Sequence, residues 1–280
     1  MADIEETLQD ALALGDEGRF QEMAELLSKA LDDSPEDPYL LCWLGVAEQE
    51  LENEGAAYDY FKRALAQNPT DAQLLAVVGA GLAAFDDPDA ERALRTAAVT
   101  APDVALTRLQ YGAYLAREGL FDDALEHLRA AVRLEPEDPV VHGELGAALA
   151  LKGDLAGAAD SMERTLDLAP DDSWTRVLLG LIYTETGEGE RGAETLIQAA
   201  GERAEDAEAQ IVAALAAAAQ GWQDAARDIV ARAEYAAEGT DVALLREAEE
   251  RIEGGEEDAA EMLREQLGPS MLHERLTQPL

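Results

Sequence analysis

The stretch from Gly119 to Pro139, GLFDDALEHLRAAVRLEPEDP, decides the fold of this chain. Taken alone, it has three interpretations. It could be a helix that ends in an acidic, metal-collecting loop, an acid–base cluster built from Glu135, Glu137 and Asp138, or one unit of a periodic structure. Only the third interpretation predicts that similar stretches recur along the chain at a fixed spacing.

Similar stretches do recur, with a period of 34 residues. YGAYLAREGLFDDALEHLRAAVRLEPED starts at Tyr111, LGAALALKGDLAGAADSMERTLDLAPDD at Leu145, and LGLIYTETGEGERGAETLIQAAGERAED at Leu179. Two sets of glycines keep the same spacing: Gly112, Gly146 and Gly180, and Gly119, Gly153, Gly187 and Gly221. The prolines follow the period as well, with one interval shortened by a residue: Pro35, Pro69, Pro102, Pro136 and Pro170. The chain is therefore built of repeats.

Each repeat predicts two amphipathic helices. The first helix ends near the glycine at the fifteenth position. The second helix ends before the proline, because proline lacks an N–H and disfavours a helical residue before it. Gly at the eighth position and Ala at the twentieth allow two antiparallel helices to approach closely. The alanines at the twentieth position are Ala57, Ala90, Ala124, Ala158, Ala226 and Ala260.

This pattern resembles the tetratricopeptide repeat. The fourth repeat carries it as Tyr111, Gly112, Leu115, Ala124, Leu128, Ala131 and Pro136. The second repeat carries it as Leu44, Gly45, Ala57, Phe61, Ala64 and Pro69. The resemblance implies an all-α, right-handed superhelical solenoid of about eight helix-turn-helix repeats over residues 1–268. The predicted repeats are 4–37, 38–71, 72–104, 105–138, 139–172, 173–206, 207–240 and a degenerate 241–268.

The resemblance also implies a partner-binding surface. In this family, the first helix of each unit forms a concave groove. Carrying over the family's positions, the predicted groove residues are Tyr39, Cys42, Leu106, Leu109, Ala113, Val140, Trp174, Val177, Leu181 and Ile211. They are mostly apolar, which predicts a site for an apolar peptide or helix of a protein partner. Two alternatives stay open: another part of the chain covers the groove, or the carry-over is off by one residue.

The predicted function is accordingly a non-enzymatic scaffold or adaptor for protein–protein interaction. The alternative is a structural subunit that is always assembled, with its groove filled by a fixed neighbour. The tail, residues 269–280, breaks the frame at Gly268–Pro269, and its Met271, Leu272 and Leu276 give a short amphipathic turn or two. It either caps the open end of the solenoid or docks as a peptide, even on a neighbouring molecule. The oligomeric state is left open.

One column of the repeats departs from the family. Arg108, His142 and Arg176 stand where the family has tryptophan. Their 34-residue spacing stacks them along a solenoid. The favoured interpretation is that they pair with neighbouring acids. The alternative is a cationic stripe that binds an acidic partner.

A remote alternative is a nucleotide-dependent enzyme. Gly79, Gly81 and Ala84 match a G-x-G-x-x-A dinucleotide motif. That motif needs a strand before it and a full helix after it, whereas Asp86, Asp87 and Pro88 follow at once. The acidic runs lack calcium-loop spacing and fall where the repeats predict turns, so their Asp and Ser residues are expected to cap helices. His127, His142 and His273 have no catalytic partner at a productive spacing. No catalytic, cofactor-binding or metal site is predicted.

Composition narrows the classes of partner. The formal net charge is −39, from 60 acidic and 21 basic residues, and only Lys29, Lys62 and Lys152 are lysines. This resembles the proteins of salt-in haloarchaea and predicts a fold that needs high salt, which screens self-repulsion. The charge argues against nucleic acid and anionic membranes as partners. The acidic start is unlike a signal peptide, and the single cysteine excludes an internal disulfide, which favours the cytoplasm.

Overall fold

The computed structural model describes residues 4–277, and these form helices without any strand. They divide into two compact units on either side of the Leu134–Glu135 bond. Unit 1 contains α1 (Ile4–Asp16), α2 (Phe20–Asp33), α3 (Pro38–Glu50), α4 (Glu54–Ala66), α5 (Ala72–Ala83), α6 (Asp89–Thr100), α7 (Ala105–Arg117) and α8 (Phe121–Leu134). The predicted all-α fold of helix-turn-helix repeats is confirmed.

Unit 2 continues the same pattern and then departs from it. It contains α9 (Pro139–Lys152), α10 (Leu155–Leu168), α11 (Ser173–Glu185), α12 (Gly189–Glu202), α13 (Ala207–Ala219), α14 (Gln223–Ala236), α15 (Asp241–Gly254), α16 (Glu256–Glu261) and α17 (Gly268–Thr277). A π-helical segment, Met262–Leu267, joins α16 to α17. In both units, each odd-numbered helix up to α13 packs on the even-numbered helix that follows it.

The glycine at the eighth position allows this close pairing. A Cβ added to Gly45 would lie 2.7 Å from Phe61, and one added to Gly112 would lie 2.8 Å from Leu128. The same collision, with Leu196, occurs at Gly180 in unit 2. Each contact joins the first helix of a repeat to the buried large side chain of the second. A side chain at the eighth position would therefore push the two helices of a pair apart.

The fifteenth position ends the first helix with a left-handed residue in every repeat. Five glycines there have φ between +70° and +88°, and Gly255 in the last repeat has φ +116°. The second and third repeats carry Glu52 and Asp86 instead, and both still have a positive φ. A positive φ at this position is thus common to all the repeats, even where glycine is missing.

The acidic joints between repeats cap the first helices. Asp71, Asp172 and Asp206 each accept a hydrogen bond from a backbone N–H three residues on, at 2.9 Å. Asp37 and Asp138 accept bonds from the N–H groups of Tyr39 and Val140. Such a cap satisfies a backbone donor that the helix itself leaves unpaired. The expectation that these acids cap helices is confirmed.

The end of unit 2 differs from the repeats before it. A single residue, Gly255, separates α15 from α16, and the helix continues through the π-helical segment into α17. Helix therefore continues on both sides of Gly268–Pro269, where the tail was predicted to leave the repeat frame. Proline costs a regular α-helix a hydrogen bond and clashes with the carbonyl four residues earlier, and the turn before Pro269 is π-helical.

Candidate functional site

The predicted groove residues of unit 1 are mostly inside the protein. Cys42, Leu109 and Ala113 are buried, with Cys42 fully enclosed in a core cluster that contains Phe61. Burial raises the pKa of the Cys42 thiol well above its ordinary value. Leu106 is half-buried and packs against the cluster of Leu75, Ala76, Ala93 and Ala97. Only Tyr39 keeps a large exposed fraction. These positions of unit 1 thus contribute more to the core than to a surface.

In unit 2 the helices that carry the predicted groove residues are contacted by the chain's own C-terminal part. Val177, Leu181 and Ile211 are buried, and Trp174 is half-buried. Helix α13, which carries Ile211, is packed against α15, α16 and the π-helical segment as well as its own repeat. Helices α9 and α11 are contacted by α17. Val140 alone stays exposed, at 48 %. We call the surface formed by α9, α11 and α13 the first-helix face of unit 2.

Helix α17 runs antiparallel to α11 along this face. At its start, a Cβ added to Gly268 would lie 3.6 Å from Glu185 Oε1, at the end of α11. Near its end, Arg275 lies over Trp174, at the beginning of α11. Three apolar side chains of α17, Met271, Leu272 and Leu276, are buried. The tail residues singled out from the sequence are therefore the ones that pack. Residues 278–280 of the tail lie outside the described residues.

Two arginines stack on Trp174. The Cζ of Arg203 is 3.8 Å from the centre of the indole ring, and the Cζ of Arg275 is 4.2 Å from it. Each distance is well within the range of a cation–π contact. Arg203 is fixed by Asp206, which accepts from both Nε and Nη2, and by Ser173 Oγ.

Arg275 has a carboxylate partner of its own. Its Nη2 donates to Glu208 Oε2 at 3.1 Å, with about a third of each side chain exposed. Both residues line a cavity of about 800 Å³, whose walls also contain Glu202, Glu205 and Asp241. The position of Trp174 was predicted from the sequence, but Arg203, Glu208 and Arg275 were missed. Arg275 is 67 residues from Glu208, so no local pattern signals their contact.

The column of Arg108, His142 and Arg176 braces the joints between repeats. Each side chain donates to the backbone carbonyl of the proline six residues earlier: Pro102, Pro136 and Pro170. Arg176 also pairs with the carboxylate of Glu202. Arg176 is only 6 % exposed. The hydrogen-bonding groups of all three side chains thus have partners within the compact unit to which each side chain belongs, which argues against a free cationic stripe. Pairing with an acid is seen for Arg176.

His127 accepts a hydrogen bond from Arg108. Arg108 Nη1 lies 3.1 Å from His127 Nδ1. A guanidinium can only donate, so Nδ1 is unprotonated. Burial, and then the charge of Arg108, lower the pKa of His127, while Glu126 and Asp123 act in the opposite direction. Within residues 4–277, no group of three or more His, Cys, Asp or Glu is arranged to hold a metal ion.

The glycines of the dinucleotide-like motif lie inside helix α5. A Cβ on Gly81 would collide with the ring of Phe61, and one on Gly79 would lie 2.8 Å from Leu94. Ala84 is the C-cap residue of the same helix. The segment before these glycines is helix where such a motif requires a strand, so the nucleotide-fold alternative for this segment is wrong. The glycines serve helix packing.

The family model of the tetratricopeptide repeat matches residues 8–72, 88–139 and 110–173, which together make up more than half of the chain. The chain belongs to the tetratricopeptide repeat family. Proteins of this family are typically non-catalytic scaffolds for protein–protein interaction, and their stacked repeats offer extended binding surfaces. No curated protein sequence is close enough to count as a relative.

Solved structures support the same fold. A chain of the APC/C hetero-tetramer Cut9–Hcn1 superposes with a TM-score of 0.70 at 19% identity, covering 88% of this chain and 49% of that one. This chain thus spans about half the length of that relative. TTC0263, a thermophilic TPR protein of Thermus thermophilus, has a TM-score of 0.52 at 26% identity, covering 62% and 95%. PilW, a widely conserved type IV pilus biogenesis factor, has a TM-score of 0.60 at 20% identity, covering 70% and 92%.

Among residues 4–277, no helix combines the length and the apolar character needed to cross a bilayer.

Proposed function

We propose that this chain is a non-enzymatic protein–protein interaction scaffold whose first-helix face in unit 2 receives a short amphipathic helix of a partner. The observation that carries the proposal is the position of α17 along α9 and α11. Insertion of an amphipathic helix into an apolar groove is a recurring mode of recognition. Here the chain supplies its own example of a helix that fits.

The chemistry of the contact supports a partner with an apolar helix face. Met271, Leu272 and Leu276 are between 4 % and 8 % exposed. Leu272 and Leu276 are four residues apart and therefore share a face of α17, and Met271 is buried beside Leu272. A partner helix with a similar apolar face would bury the same kind of surface on α9 and α11.

The position of α17 also predicts how partner binding is controlled. A site that is filled in cis is available only in the fraction of molecules in which α17 has left it. The apparent affinity for a partner falls by that fraction. The scaffold would therefore bind more tightly after anything that releases α17.

The experiment uses a full chain from which α17 is expelled. Met271→Asp with Leu272→Asp places two unpaired carboxylates at buried positions, which costs more free energy than leaving α17 in solvent. We call this chain the open variant. A fluorescent peptide of residues 265–277 should bind the open variant saturably, as measured by fluorescence anisotropy. The wild-type chain should bind it more weakly, because its own α17 competes.

Tyr235→Asp is the control, since Tyr235 lies on α14 in the same unit and is 93 % exposed. It adds a charge without touching the face, so its peptide binding should equal that of the wild type. The proposal fails if the open variant keeps its helical circular dichroism and its cooperative melting but does not bind the peptide. A glutamate introduced at Leu109 or Val177 would disturb the core as well as any binding surface, because both residues are buried.

A further inference from the structure

We infer that Trp174 and Glu208 form an arginine-binding subsite within the first-helix face of unit 2. The partner helix would then carry an arginine beside its apolar residues. This inference rests on the proposed function and specifies the chemistry of the partner. In the structure, the subsite is occupied by Arg275 of the chain's own α17.

The subsite recognises two properties of the guanidinium at once. Its flat face stacks on the indole of Trp174, with Cζ 4.2 Å from the ring centre. Its edge donates from Nη2 to Glu208 Oε2. A planar cation that donates from its edge meets both requirements, whereas an ammonium group is a compact charge that cannot stack in this way. The subsite should therefore prefer arginine to lysine.

The indole is fixed in place before a partner arrives. Arg203 also stacks on Trp174 and is held by Asp206 and Ser173. These contacts do not involve α17, so they remain when α17 leaves. A ring held in its binding position loses little conformational freedom on binding, which favours affinity.

The surrounding charge is negative enough to accept a second guanidinium. Glu205 and Asp241 line the same cavity as Glu208 and Arg275. Asp206 neutralises Arg203 at 2.8 Å. An incoming arginine is thus attracted by carboxylates, although Arg203 already stacks on the same ring.

The spacing within α17 defines the expected partner. Met271 and Leu272 are followed by Arg275 and Leu276, which fall on the same helical face. A partner helix with two adjacent apolar residues, two free positions, an arginine and a third apolar residue would reproduce every contact described for α17. We expect such a helix to compete directly with α17.

The test compares three peptides of residues 265–277 on the open variant: the wild-type sequence, Arg275→Gln and Arg275→Lys. We expect the Gln peptide to bind about tenfold more weakly than the wild-type peptide, and the Lys peptide to fall between them. In an open variant that also carries Trp174→Leu, the Arg and Lys peptides should bind alike, because only the ion pair with Glu208 remains. Trp174 is only half-buried, so this change leaves the repeat core in place.

A second measurement needs no open variant. Hydrogen exchange of the α17 amides in the otherwise wild-type chain reports how firmly α17 is held. Arg275→Gln should speed that exchange about tenfold, and Arg275→Lys less. Arg246→Gln, on an exposed position of α15, is the matched control and should leave the exchange of α17 unchanged.

The outcomes separate the subsite from the groove. Equal binding of all three peptides would overturn the arginine subsite and leave the proposed function standing. If no peptide binds, the proposed function fails. Hydrogen exchange of the α17 amides then tests the subsite by itself, and faster exchange in Arg275→Gln supports it as a contact within the chain. Exchange in Arg275→Gln no faster than in Arg246→Gln overturns it.

Discussion

At the scale of single residues, the fifteenth position shows how strongly the repeat dictates backbone conformation. Glu52 and Asp86 have φ of +59° and +52°, in the region that glycine occupies elsewhere in the column. An L-residue in this region costs about 1–2 kcal/mol relative to a right-handed conformation. The surrounding helix pair imposes the turn on these two residues, so each stores strain that a glycine would not.

Exchanging the residues at this position should shift stability in opposite directions. Glu52→Gly should raise the free energy of unfolding by up to about 1 kcal/mol because it removes the strain. Gly119→Ala should lower it by about 1 kcal/mol, although a Cβ there meets nothing within 4 Å. Chemical denaturation in molar KCl measures both changes.

Gly55→Ala is the control for the glycine substitution. Gly55 lies in α4 and also has open space around it, but its φ is not positive. Alanine should stabilise the chain there by about 0.5–1 kcal/mol, because it favours helix. If Gly119→Ala behaved like Gly55→Ala, the left-handed turn would not be the reason that glycine recurs in this column.

His127 should make the stability of unit 1 depend on pH. Its pKa in the folded chain lies below the ordinary 6.5, through burial and the charge of Arg108. The unfolded chain therefore takes up a proton first as the pH falls through about 6.5, and stability is lost from there downwards. Above about pH 7.5 both states are neutral, so His127 has no effect.

His127→Gln tests this dependence because glutamine can still accept from Arg108 but does not titrate. Between about pH 7.5 and 5.5, the wild type should lose free energy of unfolding relative to this variant. His273→Gln, at an exposed position of α17, is the comparison that removes a histidine elsewhere. Parallel curves for the wild type and His127→Gln over that range would show that His127 is protonated equally in both states.

At the scale of helices, the sequence predicts what is decided locally. Glycine at the eighth position and proline at the joint are local signals, and the helix pairs they predict are confirmed. Asp37 and its equivalents are predictable for the same reason, because a cap acts within three residues. Much of the fold was therefore readable from one repeat and its period.

Contacts between distant helices could not be read in this way. The apolar residues of α17 were predicted as a turn or two of amphipathic helix, but nothing in them specified α9 and α11 as their neighbours. Groove positions such as Leu109 and Val177 were taken from the family's pattern. Whether such a position faces solvent depends on what packs over it, and in unit 2 that is the segment after residue 240. The period fixes the position of a residue within its repeat and leaves its exposure to distant parts of the chain.

The column of Arg108, His142 and Arg176 illustrates the same limit for polar residues. Their periodicity predicts that they stack, with pairing to neighbouring acids as the favoured interpretation and a cationic stripe as the alternative. Their partners are backbone carbonyls of prolines, which look identical in the sequence whether or not they accept a hydrogen bond. The repeat pattern predicts the position of a side chain, whereas its hydrogen-bond partner is known only from the structure.

At the scale of the whole molecule, charge dominates. With 60 acidic and 21 basic residues, most carboxylates have no cation available. Lys62 illustrates the shortage, since it pairs with both Asp87 and Asp89 at the short turn of the third repeat. The remaining carboxylates repel one another in the compact state, and unfolding relieves that repulsion. Ion pairs of this kind are too few to compensate it.

Salt should therefore stabilise the fold through screening. The Debye length falls from about 10 Å at 0.1 M to about 3 Å at 1 M ionic strength, so salt weakens the repulsion between carboxylates. We expect the melting temperature to rise from dilute buffer to molar KCl, with loss of helical circular dichroism at the lowest salt. Sucrose is the control, because it strengthens apolar burial without screening charge. Stabilisation by sucrose alone, with helicity unchanged between dilute buffer and molar KCl, would mean that self-repulsion does not limit this fold.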